Sequence, residues 1–359
     1  MSKKKIAIIF GGASSEYEVS LLSSASVLKN ISLGRFDVVN VGITKNGRWF
    51  KYDGSVEKIE SGEWTDDESN LTACVVSPDT GVHGLLYLKK DGSFEAERID
   101  AVFPVLHGRN GEDGTIQGLF TLAKIPFVGC DLISSAICMD KAVTNALLDH
   151  FGIMRAPWAS VLKRNIGQFD GIERRLRTQL LYPMFVKPAN AGSSVGITKA
   201  HNKDELFEAL NIAFQHDVKA VVEKTIVGKE LECAVCGNES PTASDVGEIV
   251  PCNEFYDYDA KYLAGTSETL IPARITDEQT DTVRQTAVRA YTLLGCSGLS
   301  RVDFLLEEAT GEVYLNELNT IPGFTSISMY PKMMAHSGTP YDELISKLIE
   351  LAIERTEEK

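Results

Sequence analysis

Two short segments near the C-terminal end carry the residue types best suited to phosphate chemistry, Arg301-Val302-Asp303-Phe304 and Asn316-Glu317-Leu318-Asn319. Each reads as a strand, and on a strand residues two apart share a face. Arg301 then stands beside Asp303, and Glu317 beside Asn319. If the strands pair, one guanidinium, two carboxylates and an amide converge. Such hard oxygen ligands suit Mg²⁺, which takes one or two carboxylates together with substrate phosphates. The bland alternative is an ion-pair ladder on a half-exposed sheet. Against it stands the run that follows, Thr320-Ile321-Pro322-Gly323-Phe324-Thr325-Ser326. A Pro-Gly turn into hydroxyl residues is a place where backbone N–H groups can meet an oxyanion.

Other segments could serve the same chemistry. Val186-Lys187-Pro188 precedes Gly192-Ser193-Ser194-Val195-Gly196, a glycine loop whose N–H groups can wrap phosphates while Lys187 supplies charge. It is not a P-loop, because G-x-x-x-x-G-K-[ST] is absent. Glu223, Lys224 and Glu230 have a spacing that could meet a ribose, although exposed Glu and Lys are ordinarily just solvated. Gly11-Gly12-Ala13-Ser14-Ser15-Glu16 follows a strand and opens a helix. Ser15 with Glu18 three residues on makes a capping-box pattern, which leaves Glu16 without a structural task. His107-Gly108 ends another strand, where open α/β sheets place ligands, yet a lone loop histidine is more often structural. Residues 254–262, aromatic and charged without a clean period, suit an active-site lid or a tyrosine-rich surface loop. Cys233 and Cys236 form a C-x-x-C inside a strand with no second pair at metal spacing, so they read as buried small hydrophobes.

The elements that must position these residues fall into three groups. Residues 5–10, 36–44 and 101–106 read as strands, with helices near 16–30 and 115–123 and a short strand at 127–128. Asn46-Gly47 marks a hairpin turn before 49–52. This first part is a parallel α/β unit, with residues 53–97 a polar, variable surface excursion. A second region, from about residue 134, offers a helix at 139–151, strands at 183–187, 193–199 and 220–224, and a helix at 204–214. That order suggests an antiparallel sheet with a helix on one side. The third, from about 227, has strands at 230–236, 247–250, 300–306 and 313–318, a long helix near 277–295 and an amphipathic one near 341–355. The expected domains are 1–133, 134–226 and 227–359.

Bulk properties set limits. A chain of 359 residues predicts two or three domains. With 36 Lys plus Arg against 50 Asp plus Glu, the net charge of −14 argues against nucleic acid, which needs a basic surface. No apolar stretch approaches the ~20 residues of a membrane span. The lysine-rich start is followed by too short an apolar run for a signal peptide, so the expected location is cytoplasmic.

Taken in order, the motifs resemble those of the D-alanine–D-alanine ligases of the ATP-grasp superfamily. The match covers nearly the whole chain except about 155–180, which carries no motif. It includes Gly-Gly-x-Ser-x-Glu at the start, Leu106-His107-Gly108 with Gly111-Glu112-Asp113-Gly114, Met139-Asp140-Lys141, Lys187-Pro188, the 192–196 loop, Phe255-Tyr256-Asp257-Tyr258, Arg301-Val302-Asp303 and Asn319 to Thr325. The resemblance implies a three-domain ATP-grasp architecture, an N-terminal parallel α/β domain plus two α+β domains clasping ATP. It also implies that ATP phosphorylates the carboxylate of one D-alanine and that a second D-alanine attacks the acyl phosphate. By the same resemblance Lys141 and Lys187 hold phosphates. Glu223, Lys224 and Glu230 hold the adenosine, and Asp303, Glu317 and Asn319 bind two Mg²⁺ ions, which Mn²⁺ could replace. Arg301 and the Gly323 N–H stabilise the phosphoryl group and the oxyanion. Glu16 takes the first substrate's ammonium, with His107 nearby. Ser193 and Tyr262 join Glu16 in closing the lid, and Lys261 and Ser328 bind the second substrate's carboxylate. Met329 stands where relatives carry Leu or Arg, which keeps D-serine as an alternative second substrate. D-lactate users lack the tyrosine found here as Tyr262, so D-alanine is favoured. The partners implied are small molecules, no nucleic acid, no membrane, and a second copy in a homodimer.

Overall fold

A computed structural model of the chain describes residues 3–192, 195–250 and 268–357. The first sheet begins with β1 (Lys4–Gly11), an unbroken apolar run that is buried from Ile6 onward. Such runs belong to strands covered on both faces. Helix α1 (Tyr17–Asn30) leads to β2 (Phe36–Ile43), β3 (Trp49–Tyr52) and a short α2 (Val56–Ser61). Then come β4 (Leu71–Val76), β5 (Gly84–Leu88), β6 (Phe94–Arg98), β7 (Ala101–Pro104) and α3 (Thr115–Ala123). The strand order is β6-β5-β4-β3-β2-β1-β7, with β1 parallel to both β2 and β7. Residues 53–97, expected as a surface excursion, instead add antiparallel strands to this sheet. Their alternation was too weak to read: β6 is almost wholly exposed, while Cys74, Val76, Leu85 and Tyr87 point inward. The excursion also supplies Trp64, fully buried against Phe10 and Tyr52, its indole N–H donating to Tyr17 Oη at 2.9 Å.

Helix α1 does not start as predicted. Its flanking residue is Glu16, with no side-chain cap. That puts Glu18 at the second helical position, too early to close a capping box. Ser14 Oγ accepts from Glu16 N–H at 3.1 Å instead, and Glu18 pairs with Lys45. The expected helix over 139–151 is α5 (Lys141–His150), and a further helix that the sequence did not signal, α4 (Leu132–Met139), comes directly before it. Asp140 divides them with an extended backbone, and its carboxylate caps α5 through the N–H groups of Ala142 and Val143.

The second sheet contains β8 (Trp158–Leu162), β9 (Met184–Pro188), β10 (Thr198–Ala200) and β11 (Lys219–Lys224), in the order β10-β9-β11-β8 and all antiparallel. Helices α6 (Phe169–Leu180) and α7 (Lys203–His216) contact it. Strand β8 and helix α6 fall in the stretch that carried no motif. The third sheet is β14-β13-β12-β15-β16, made of β12 (Gly228–Gly237), β13 (Thr242–Val250), β14 (Glu268–Leu270), β15 (Gly298–Glu307) and β16 (Val313–Asn319). It carries α8 (Asp277–Leu293), closed by a capping box between Thr276 and Gln279. Helices α9 (Met329–His336) and α10 (Tyr341–Glu357) complete the described chain. Cys233 and Cys236 sit in different cores, three apart on β12 and so on opposite faces, which excludes a shared site.

The largest apolar core is not confined to one unit. Ile6, Ile8, Ala101 and Phe103 of the first sheet pack with Leu344, Ile345, Leu348 and Ile349 of α10. No helix among the described residues is long and apolar enough to cross a membrane. Trp64→Ala should lower unfolding free energy by about 3–5 kcal/mol, the usual cost of deleting a buried large aromatic side chain. Urea denaturation reads this, and a loss under 1 kcal/mol would show that the excursion contributes nothing to the first core.

Candidate active site

Antiparallel pairing of β12, β15 and β16 sets a row of three carboxylates. Asp303 is the register partner of Glu232 on one side and of Glu317 on the other, and Arg301 is the partner of Asn319. The expected convergence of Arg301, Asp303, Glu317 and Asn319 is therefore present. Arg301 donates to both oxygens of Asp303 at 2.7 Å and lies 3.3 Å from Glu232. Burial disfavours its charge, but Asp303 and Glu232 outweigh that and hold the guanidinium firmly ionised. Asn319 gives its Nδ2 to Asp303 at 2.9 Å, which turns its carbonyl oxygen to the role of hard ligand.

The second sheet brings the lysines. Lys187 on β9 lies 2.7 Å from Glu223 and donates to Asn316 Oδ1 on β16 at 3.1 Å, so one side chain spans the two sheets. Burial works against the Lys187 ammonium, yet Glu223, Glu317 and Glu230 raise its pKa on balance. Lys141 opens α5, donates to Ala191 O at 2.8 Å and lies 3.6 Å from Glu317. Between the sheets runs a cleft of about 350 Å³, walled by Phe185, Ile226 and Phe304 and edged by Lys187, Lys224, Glu230, Asp303 and Glu317. Glu223 bonds Lys187 and Asn145 as well as lining the cleft.

Within the row of Glu232, Asp303 and Glu317, Arg301 and Lys141 supply two positive charges against three negative ones. That local excess of acid suits an imported cation. Among the described residues no group of three or more His, Cys, Asp or Glu stands ready to hold a metal alone. Two carboxylates and an amide completed by phosphate oxygens fit Mg²⁺, which binds in this shared manner.

A second cluster of polar groups, around Glu16 and His107, lies at the mouth of the first sheet. Glu16 is 6% exposed, and its carboxylate fits so closely that a Cβ on Gly108 would lie 2.2 Å from Oε2, and one on Gly192 2.9 Å. Gly108 also has φ +70°, so the site demands glycine twice over. His107, 4% exposed, uses both ring nitrogens. Nδ1 lies 3.0 Å from Ile321 O and Nε2 3.0 Å from Ser23 Oγ. A carbonyl only accepts, so the proton is on Nδ1 and Ser23 donates to Nε2. Burial pulls the ring down to about 4, against the raising effect of Ile321 O. His107 is thus held as a neutral strut between Ser23 and Ile321.

Sequence reading overlooked Glu112. Its Oε2 accepts from Gly108 N–H at 2.7 Å and its Oε1 from Ile321 N–H at 3.3 Å. Burial and the Glu16 charge push its carboxyl up to about 8. It was visible only as one letter of the Gly-Glu-Asp-Gly run. Glu232 was overlooked too, although the alternation Glu230-Leu231-Glu232 on a strand signals a shared face. Gly323 and Ser328 come together, a Cβ on Gly323 falling 2.7 Å from Ser328 Oγ, which also accepts from Thr325 N–H. Met329 is not with them: it is buried in the core, its methyl against Gly247. Ser193, Lys261, Tyr262 and the rest of the expected lid lie outside the described residues.

Two sheets closing on a cleft that offers lysines to phosphates and hard oxygens to a divalent metal define an ATP-grasp enzyme. Family profiles described as D-ala D-ala ligase N-terminus and C-terminus match residues 5–130 and 147–350. A D-alanine–D-alanine ligase of Acetivibrio thermocellus is 50% identical over 98% of this chain and 96% of its own. That of Clostridium novyi is 50% identical over 98% and 99%. Among solved structures, the VanG D-Ala:D-Ser ligase of Enterococcus faecalis superposes with TM-score 0.89 at 45% identity, covering 98% of this chain and 100% of that one. The D-alanine–D-alanine ligase of Coxiella burnetii gives 0.87 at 33%, covering 100% and 96%. The chain belongs to the D-alanine–D-alanine ligase family.

A depressed His107 pKa contributes stability that is complete above about 6.5 and lost as pH falls toward about 4. The imidazole should show the Nδ1–H tautomer by ¹⁵N NMR and no titration above pH 5, whereas a ring titrating near 6.5 would overturn the neutral-strut role.

Proposed function

We propose that the chain joins two D-alanine molecules into the dipeptide used in peptidoglycan, with ATP cleavage driving the bond. The carboxylate of the first D-alanine attacks the γ-phosphorus of ATP, giving D-alanyl phosphate and ADP. The amine of the second attacks the acyl carbon, and inorganic phosphate and a proton leave. What supports the reading is one junction: His107 and Glu112, which lie near Glu16, both bond Ile321, two residues beyond Asn319. In this reading the amino-acid site and the phosphate cleft share that loop.

In this reading Glu16 binds the first ammonium. Lys141 and Lys187 hold the phosphates, and Glu223, Lys224 and Glu230 border the adenosine. Asp303, Glu317 and Asn319 hold two Mg²⁺ ions, with Mn²⁺ a substitute; the metal supplies charge neutralisation on the phosphates. Arg301 and the Gly323 N–H neutralise charge that develops on the phosphoryl and acyl oxygens, the main task in phosphoryl transfer. Ser193 and Tyr262 close over Glu16, Lys261 and Ser328 take the second carboxylate, and Met329 supports that subsite from the core behind Ser328. The homodimer and the preference for D-alanine as second substrate rest on the family resemblance, the boundaries 133/134 and 226/227 on the order of elements, and the cytoplasmic location on the short apolar run after the lysine-rich start.

Phosphate release should require ATP, Mg²⁺ and D-alanine together, and the product should be D-alanyl-D-alanine when D-serine and D-lactate are offered alongside. Equal release with L-alanine would sink the assignment. Glu317→Gln should cut kcat by roughly 10²–10³, the scale of losing one electrostatic element of a transition state; near-normal turnover would put the metal elsewhere.

A further inference from the structure

Residues 320–324 link the strand of the metal-type ligands to the helix behind them. Turns ordinarily satisfy their backbone from within. Here side chains from distant elements do it. Ile321 N–H donates to Glu112 at 3.3 Å and Ile321 O accepts from His107 at 3.0 Å. Phe324 N–H donates to Ser23 Oγ at 3.3 Å, and Phe324 O accepts from the Tyr341 hydroxyl at 2.7 Å. These four side chains are themselves held. Gly108 N–H fixes Glu112, the Ser23 hydroxyl fixes His107 Nε2, and Ser26 Oγ lies 3.1 Å from Tyr341 Oη, as its donor. Ser23 is fully buried and His107 nearly so. Pro322 has no N–H, so between the two gripped residues the only N–H is that of Gly323.

We propose that Ser23, Glu112 and Tyr341 are positioning residues for peptide-bond formation, which with His107 clamp both sides of Gly323 and aim its N–H at the oxygen of the tetrahedral adduct. This rests on the reading of Gly323 as an oxyanion donor. The chemistry requires such a device: a donor stabilises a transition state only where the oxyanion will be, and it must not reorganise when the charge appears. A loop with a proline and a glycine has no ladder of its own to guarantee that. Supporting groups locked by their own hydrogen bonds provide it.

Ser23→Ala and Tyr341→Phe each remove one hydroxyl. Each should lower kcat about 10-fold or more, within the ~10²-fold that a 1 Å misplacement can cost. KM for ATP should be unchanged, because neither residue lines the nucleotide cleft. Affinity for a phosphinate dipeptide, which mimics the tetrahedral adduct, should fall in parallel with kcat. Tyr341→Phe keeps the ring beside Phe324, with centroids 6.2 Å apart, and guards against misfolding of the buried Ser23 variant. Gly323→Pro removes the N–H itself. If it turns over normally, the oxyanion reading falls and the clamp with it. If it is inactive while Ser23→Ala and Tyr341→Phe keep wild-type turnover and phosphinate affinity, the clamp alone is wrong. Loss of ATP affinity in step with kcat would also overturn it, since that marks general loosening.

Discussion

Three carboxylates in cross-strand register are the constraint around which the site is arranged. Like charges directly opposite one another on a sheet repel, and Glu232, Asp303 and Glu317 form one such row. The protein keeps it by burying Arg301 against two of them and extending Lys141 to the third. Removing one partner of a buried ion pair costs about 3–5 kcal/mol, so the guanidinium fixes the register as well as the charge. The row stays short of full neutralisation. In the proposed function a divalent metal carrying phosphates would complete it, which would reconcile a chain of net charge −14 with a polyanionic ligand.

The lysines obey a related logic. Lys187 is already paired with Glu223 and bonded to Asn316 on the facing sheet. Under the proposed function, an arriving phosphate would meet an ammonium kept charged by its neighbours and already held in place, with little ordering left to be done. Lys141 is placed by the break at Asp140, whose carboxylate starts the helix that Lys141 opens. Neither lysine depends on a long flexible reach, and both are referenced to the third sheet by a direct contact.

The strands that carry the chemistry were legible because alternation and hard-ligand types coincide in them. Arg301 with Asp303, and Glu317 with Asn319, could be assigned to common faces before any fold was known. Other features depended on context that no local pattern holds. The Ser15 and Glu18 pattern was a sound capping signal defeated by where the Gly11-Gly12 turn lets the helix begin. Asp140 resembled any polar helix residue until its two capping bonds were seen. Strand β6 was hidden by exposed, charged sequence at a sheet edge. Ser23 and Tyr341 carry no signal at all, since their importance lies in reaching a loop some 300 and 17 residues away. Ser328 could be paired with Gly323 from the family pattern, whereas the burial of Met329 against Gly247 could not.

The core shared by the first sheet and α10 has a consequence for biosynthesis. Domains made early ordinarily fold as they emerge, the N-terminal one first. Here one face of the first sheet, with Ile6, Ile8 and Phe103, is covered by Leu344, Ile345 and Leu348 from the last helix of the described chain. The opening third of the polypeptide therefore waits, with apolar surface uncovered, until α10 has been made. Chains cut short before residue 341 leave that face bare, and they are the species a cell must hold or destroy.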